Sequence, residues 1–323
     1  MKPRCFVTRV IPEAGTELVM KHLDAEVWEG ELPPPRDVFL QRVRGVQGIL
    51  CLLSDRIDKE VMDAAGDSLR VISVMAVGYD NVDVGEATKR GVLVTNTPGA
   101  LTETTADLTF ALILAIARRV VEAAQFVKEG KWKAWSPTLL LGEDVHGKTI
   151  GIIGFGRIGQ AVARRARGFD MEVLYYDYKG RVFDGGKRCD TLDELLSRAD
   201  FVSLHIPSKP ENRKLVDKRF FEKMKPTAFF INVARGDLVD TDALVEALRE
   251  KRIKGAALDC TDPEPLPKDH PLLGLDNCIV LPHIGSASDK TRNEIAKLAA
   301  INLIKALSGE MPPHPVNPEV LAR

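Results

Sequence analysis

Cysteine is scarce in this sequence and is not arranged to do chemistry. Its five residues, Cys5, Cys51, Cys189, Cys260 and Cys278, are widely separated, odd in number and never spaced C-x-x-C. That excludes a disulfide framework and points to reduced thiols packed as small hydrophobes in a cytoplasmic setting. An excess of charge is missing too. With 45 basic against 46 acidic side chains the net charge is -1, so no overall field draws the chain to nucleic acid or anionic lipid. A small neutral or anionic metabolite fits better as a partner. Long hydrophobic runs are absent: the longest apolar stretch free of charge, residues 108–117, is about half of a membrane span. No apolar core follows Lys2, Arg4 and Arg9, so neither a membrane segment nor a secretory signal is expected. His22, His146, His270 and His314 stand in helix or loop contexts without ligand spacing, and no metal is expected.

What is present is a rhythm. Short apolar, β-branched runs at 5–8, 49–53, 71–74, 92–95, 149–153, 173–176, 201–205, 228–233, 256–259 and 278–281 alternate with amphipathic stretches. Helices are expected at 12–22, 58–65, 101–128, 157–168, 191–197, 241–250 and 290–307, with Thr191 and Asp240 as caps. Strands alternating with helices predict an α/β protein with parallel sheets, and the length predicts two domains. Breaks are expected at Thr97-Pro98-Gly99, in the polar loop 129–147 and near residues 282–286, and residues 312–318, rich in proline, read as an extended tail.

One segment carries a specific signal. Strand 149–153 runs into Gly154-Phe155-Gly156-Arg157-Ile158-Gly159, a helix follows, and a second strand closes on Asp177. In a dinucleotide-binding unit Gly154 makes the tight turn, Gly156 lets the backbone approach the pyrophosphate, and Gly159 lets helix and strand pack closely. Asp177 stands where a carboxylate accepts from the adenine-ribose hydroxyls and repels a 2′-phosphate. NAD(H) is therefore the expected cofactor, while Lys179 and Arg181 just beyond keep NADP(H) open.

Ligands of doubly wound sheets sit past the carboxyl ends of the strands. Three later strands end in Arg235, in a loop carrying Glu264, and in His283. Reduction of a 2-keto acid needs these types: a guanidinium for the carboxylate and ketone, an imidazole to protonate the new alkoxide, and a carboxylate to fix the imidazole tautomer. The plainer alternatives are an ion pair of Arg235 with Asp237 or Asp240, a solvated Glu264 and a buried His283. His205, at the end of its own strand, reads equally as packing or as a cofactor neighbour.

At these residues the chain resembles the D-isomer-specific 2-hydroxyacid dehydrogenases. The glycine turn, Asn232-Val233-Ala234-Arg235-Gly236-Asp237, Gly255-Ala256-Ala257-Leu258-Asp259 with Glu264-Pro265, and Pro282-His283-Ile284-Gly285-Ser286 match that family's motifs in order and spacing. Within it, Leu52-Leu53-Ser54-Asp55 and His270-Pro271-Leu272-Leu273 look most like glyoxylate/hydroxypyruvate reductases. The resemblance implies two Rossmann-like or flavodoxin-like doubly wound domains with a cleft between them. Residues 1–99 and 286–323 would form the substrate-binding domain and 100–285 the NAD(P)-binding domain. It assigns Arg235 to substrate binding, His283 to proton donation and Glu264 to orienting His283. Val77 and Gly78 are implied to hold the substrate carboxylate, with Leu53 as a further substrate contact. Arg157 and Ile158 are implied at the pyrophosphate, and Pro207, Val233, Asp259 and Gly285 around ribose and nicotinamide. It also implies a homodimer in which cofactor domains pair. Reduction of glyoxylate or hydroxypyruvate is the expected activity. Phosphoglycerate dehydrogenase is weighed against it, since relatives acting on that substrate tend to place a basic residue where Leu53 stands. A dinucleotide-sensing corepressor of the same fold is the non-enzyme alternative.

Overall fold

The β-branched runs form two parallel sheets, each covered by helices on both faces, as the alternation of elements predicts. A computed structural model describes residues 1–322, and the chain separates into two units, Met1–Leu101 with Ser286–Arg323, and Thr102–Gly285.

The first unit contains β1 (Arg4–Val7), α1 (Glu13–His22), β2 (Asp24–Val27), α2 (Arg36–Arg42), β3 (Gly48–Cys51), α3 (Lys59–Ala65), β4 (Val71–Val74), α4 (Val84–Lys89) and β5 (Leu93–Thr95). Its strands run β2-β1-β3-β4-β5, all parallel, the flavodoxin-like order. Successive side chains go to opposite faces. Phe6, Ile49, Cys51 and Ile72 pack under α2, α3 and α4, whereas Cys5, Val7, Leu50 and Val71 pack under α1 and the C-terminal helix Asp289–Leu307.

The second unit opens with α5 (Thr102–Ala117) and α6 (Val120–Lys128). There follow β6 (Thr149–Ile153), α7 (Arg157–Arg167), β7 (Glu172–Tyr176), β8 (Lys187–Arg188), α8 (Leu192–Arg198), β9 (Phe201–Leu204), α9 (Lys218–Lys223), β10 (Phe229–Asn232), α10 (Thr241–Arg249), β11 (Gly255–Leu258) and β12 (Cys278–Val280). Its order is β12-β11-β10-β9-β6-β7-β8, again all parallel. The chain therefore reverses its direction of growth between β6 and β9, which makes the ends of those two strands the switch point. Ile150, Ile152, Val173 and Ile231 pack against α5 and α7, and Ile153, Val202, Phe230 and Leu258 against α8, α9 and α10.

The helix expected over 101–128 is two helices. The carbonyl of Ala117 accepts the Glu143 N–H at 2.8 Å, which ends α5, and Arg119 turns to φ 53° with its guanidinium on Glu122 at 2.6 and 2.8 Å. The proline-rich stretch 312–318 is extended but not loose. Val316 donates to Val94 O at 2.8 Å, and buried Asn317 accepts from Val94 N–H at 2.7 Å while donating to Val92 O and Thr88 Oγ1, so the stretch closes the β5 edge. Among the described residues no helix is long and apolar enough to cross a membrane.

Candidate active site at the strand ends of the second sheet

The turn after β6 has three glycines in three different situations. Gly154 has φ +91°, and a Cβ there would meet His205 O at 2.7 Å and Ile206 Cγ2 at 2.6 Å. A Cβ on Gly159 would lie 2.3 Å from Gly154 O, whereas one on Gly156 would meet nothing within 4 Å. Space is thus open beside Gly156, as a group approaching the backbone requires. Gly156 caps α7 with no side chain, the first turn carries no acidic residue, and Arg164, Arg165 and Arg167 stand in the last turn. The positive end of α7, with the N–H groups of Arg157 and Ile158, is therefore left for an anion.

Asp177 follows β7 and is buried. Its carboxylate accepts the Arg181 N–H at 3.1 Å and the Arg181 guanidinium at 2.8 Å, and Arg188 donates to its carbonyl at 3.2 Å. The carboxylate is held on its own loop before any ligand arrives.

Three neighbouring strands, β10, β11 and β12, lead into the loops that carry Arg235, Glu264 and His283. After β10, buried Asn232 accepts the Ala234 N–H at 3.0 Å and donates to Arg235 O at 2.8 Å, fixing the turn that bears Arg235. Asp237 accepts from Ser208 at 2.7 Å, and Asp240 caps α10 and pairs with Lys214 at 3.3 Å. Gly236 lets this turn touch the loop after β11, since a Cβ there would lie 2.0 Å from the Thr261 carbonyl.

After β11, buried Asp259 accepts the N–H groups of Ile284 and Gly285, both at 2.7 Å. Burial raises its carboxyl above the usual range, against the opposing pull of those N–H groups and of His283. Between them the two loops set His283 in left-handed backbone, φ 54°. Its Nδ1 lies 2.7 Å from Glu264 Oε1, and Glu264 Oε2 accepts the Thr261 N–H at 3.3 Å. Burial alone would raise the Glu264 carboxyl, but the hydrogen bond and charge of His283 outweigh it and hold it below the usual range. Cys260 Sγ lies 3.7 and 3.8 Å from the two His283 ring nitrogens and 3.4 Å from Ala234 O.

His205 behaves differently. Its Nε2 pairs with Ser203 Oγ at 2.8 Å, and burial pushes the ring down to about 3. It is neutral at physiological pH and is no proton donor there.

In the first unit, Leu53 follows β3 and Val77 and Gly78 follow β4, its parallel neighbour. Asn81 donates to Leu52 O at 3.0 Å and to Asp55 O at 2.8 Å, and Asn96 donates to Val77 O at 2.8 Å. Asp55, buried, accepts the Leu52 N–H at 2.7 Å and the Thr8 hydroxyl. Each of these loops is therefore pinned by a buried or half-buried polar side chain of its own unit.

Sheet order, the glycine turn and an acid-paired histidine at a strand end define a class, the two-unit α/β oxidoreductases that use a nicotinamide dinucleotide. Comparison with known proteins narrows it. Residues 110–285 match the NAD binding domain model of the D-isomer specific 2-hydroxyacid dehydrogenases. A glyoxylate reductase of Korarchaeum cryptofilum is 51% identical over 99% of this chain and 98% of its own. A crystal structure of a Thermus thermophilus protein, 50% identical, superposes with TM-score 0.92 over 97% of this chain and 99% of that one. An NADPH-dependent glyoxylate/hydroxypyruvate reductase of Sinorhizobium meliloti, solved with NADP and malonate, is 32% identical with TM-score 0.86 over 98% and 97%. The chain belongs to the D-isomer-specific 2-hydroxyacid dehydrogenases.

Within the second unit the structure brings Arg235, Glu264 and His283 together on adjacent loops and keeps the glycine turn one strand away, with Pro207 following β9 and Val233 following β10. Cys260, read from the sequence as a packing thiol, is free and buried and lies beside His283. Sequence reasoning missed Asn232 and Gly236 as the residues that shape the Arg235 turn. The adjacency of polar Asn232 to the end of an apolar strand was the available signal.

Replacing Gly236 with Ala forces the two loops apart, because the clash is with backbone rather than a flexible side chain. Gly236→Ala is expected to cost about 1–3 kcal/mol, the range for overpacking, read as a lower thermal unfolding midpoint. A melting curve superimposable on the parent would show that the loops do not touch.

Proposed function

We propose that this chain reduces glyoxylate, with hydroxypyruvate as a related substrate, to the 2-hydroxy acid. The carrying observation is the 2.7 Å contact between His283 Nδ1 and Glu264, which leaves the other ring nitrogen to serve a substrate. The names of the relatives add the substrate class, and nothing in them favours phosphoglycerate oxidation or a corepressor role.

The nicotinamide dinucleotide, when bound, supplies the hydride. The protein does the rest. Arg235 offers a permanently charged, forked donor to the keto acid's carboxylate and ketone oxygen. As the carbonyl carbon is reduced, negative charge builds on that oxygen, and His283 Nε2 donates the proton that quenches it. Glu264 holds the ring by Nδ1 and so aims Nε2 at the substrate oxygen. The same reading assigns Val77 and Gly78 of the first unit to the substrate carboxylate, with Leu53 as a further contact. For the dinucleotide it assigns Gly154, Gly156, Arg157, Ile158 and Gly159 to the pyrophosphate, Asp177 to the adenine ribose, and Pro207, Val233, Asp259 and Gly285 to ribose and nicotinamide. The open space at Gly156 and the bare positive end of α7 fit such a group.

Asp177 favours NAD(H). Arg181, already paired with it, cancels part of the repulsion toward a 2′-phosphate and leaves NADP(H) usable. We further propose a homodimer through α6 and the loop after it. None of α6 is buried, and Val120, Val121, Val127, Trp132, Trp135 and Leu141 are all exposed. Val121, Phe126 and Leu141 line a groove of about 680 Å³ that a second copy would fill.

Following dinucleotide oxidation with glyoxylate, hydroxypyruvate and pyruvate tests the activity, and no turnover with any of them would overturn it. His283→Ala is expected to lower turnover by about 10²- to 10⁴-fold. Glu264→Gln removes the charge beside His283 Nδ1, so turnover is expected to fall about tenfold or more, the worth of one charge-assisted contact; unchanged turnover would deny Glu264 its role. Arg181→Ala strengthens repulsion of the 2′-phosphate, so kcat/KM with NADPH is expected to fall about tenfold or more, the worth of one charge-assisted contact, with NADH much less affected. Light scattering is expected to give twice the chain mass for the parent and a monomer for Val121→Asp; a monomeric parent would refute the dimer.

A further inference from the structure

The loop after β4 is gripped by its carbonyls. The Thr97 N–H donates to Ala76 O at 2.9 Å, and the Asn96 side-chain amide donates to Val77 O at 2.8 Å. Both peptide bonds are trans, and a trans peptide is a rigid plane whose N–H points away from its C=O. Holding the Ala76 and Val77 carbonyls therefore fixes the direction of the Val77 and Gly78 N–H groups. A hydrogen bond to each carbonyl also makes the N–H across the same plane a better donor. Among the described residues neither of these two N–H groups donates to a protein acceptor. Successive aimed and unspent backbone donors suit an anion.

The segment that grips this loop is itself held from the far end of the chain. Asn302, on the C-terminal helix Asp289–Leu307, is fully buried. Its side-chain amide donates to Asn96 O at 2.8 Å and accepts the His314 N–H at 3.2 Å, while the Asn96 N–H donates to His314 O at 3.2 Å. One amide thus meets a carbonyl and an N–H at once. Adhesion of this helix to the sheet is served by apolar packing, since Ala299 and Leu303 share a core with Val71 and Leu93. A buried amide in such a face is unfavourable unless it is bonded, and its bonds go to Asn96 and to the residue that pairs with Asn96.

We propose that Asn96 and Asn302 are positioning residues for the keto acid: Asn96 aims the Gly78 N–H at the substrate carboxylate, and Asn302 holds Asn96 where it can do so. This rests on the reading of Val77 and Gly78 as the carboxylate donors. A donor to the carboxylate serves ground state and transition state alike, so its misalignment raises KM and leaves kcat in place. Both asparagines belong to the first unit, and the glycine turn to the second, so the KM for the dinucleotide is expected to stay unchanged.

The grip is testable without turnover. Val-Gly occurs twice in the sequence, at Val77-Gly78 and Val84-Gly85, so isotope labelling of valine carbonyls and glycine nitrogens gives two carbonyl–amide correlations in the magnetic resonance spectrum. An amide nitrogen shift responds to hydrogen bonding at the preceding carbonyl. Asn96→Ala and Asn302→Ala are expected to move the Gly78 signal and to leave the Gly85 signal where it is. With glyoxylate, Asn96→Ala should raise KM about tenfold or more, the worth of one charge-assisted contact, and Asn302→Ala about two- to thirtyfold. Because Asn302 acts through Asn96, the KM increase in the double variant should fall short of the product of the two singles. Asn302→Leu, which keeps the side chain's shape in apolar surroundings, guards against a packing defect in Asn302→Ala, and half-buried Asn96 tolerates truncation more readily. An unmoved Gly78 signal in Asn96→Ala, a fall in kcat with KM unchanged, or single effects that multiply in full overturns the proposal. If the chain reduces no keto acid, the keto-acid role falls with the reading it rests on, while the Gly78 signal still decides whether the two asparagines hold the loop.

Discussion

The Asp259 carboxylate, buried at the end of β11, accepts the N–H groups of Ile284 and Gly285, and this clamp fixes where His283 can stand. It works against two costs. Burial raises the Asp259 carboxyl, so its ionised form is disfavoured in the folded chain, and that cost is felt as pH rises from the ordinary carboxylate range through the raised value. His283 also sits at φ 54°, a conformation that costs a residue with a side chain about 1–3 kcal/mol. Two charge-assisted hydrogen bonds, each worth roughly 1.5–3 kcal/mol, oppose the first cost without cancelling it, since the carboxyl stays raised with both in place. A strained backbone held by a buried charge makes little sense as stabilisation. It makes sense as a means of aiming one imidazole.

The parallel sheet supplies the rest of the aim. Because β10, β11 and β12 run the same way in adjacent registers, the loops that follow them open on one edge. Arg235, Glu264 and His283 need no long-range coordination to meet; each is a few residues past its own strand. What brings the loops into contact is small: Gly236, without a side chain, lets the Arg235 turn lie on Thr261, and Asn232 ties that turn back to its strand. The glycine turn lies at the end of β6, beside the switch point, and Ser203 with neutral His205 fills the strand between.

Much of this was legible in the sequence because it rests on local rules. Buried parallel strands read as β-branched runs, and those at 71–74 and 149–153 coincide with β4 and β6 to the residue. Thr191 and Asp240 cap their helices as their positions imply. The short helices α2, α4 and α9 were not legible, since six or seven residues show too little periodicity. Edge strand β2 is half-polar and β8 is two charged residues, so neither shows the apolar run. The break between α5 and α6 depends on Glu143, far along the chain, capturing the Ala117 carbonyl, and no local pattern announces that. The pairing of Asp177 with Arg181 was half legible: spacing placed the arginine nearby, but only burial of the carboxylate makes the contact matter.

The contrast between His205 and His283 shows how the fold assigns chemistry to one residue type. Both stand at strand ends of the same sheet. His205 is buried with a hydroxyl partner, which offers no charge to balance a proton, so desolvation alone governs it and the ring stays neutral. His283 is partly exposed, and its Nδ1 lies 2.7 Å from the Glu264 carboxylate. An ion pair this open to water contributes about 1 kcal/mol or less to stability, so its presence is not explained by holding the fold together. The exposure that weakens it as a strut leaves the imidazole open to solvent, which the buried His205 is not.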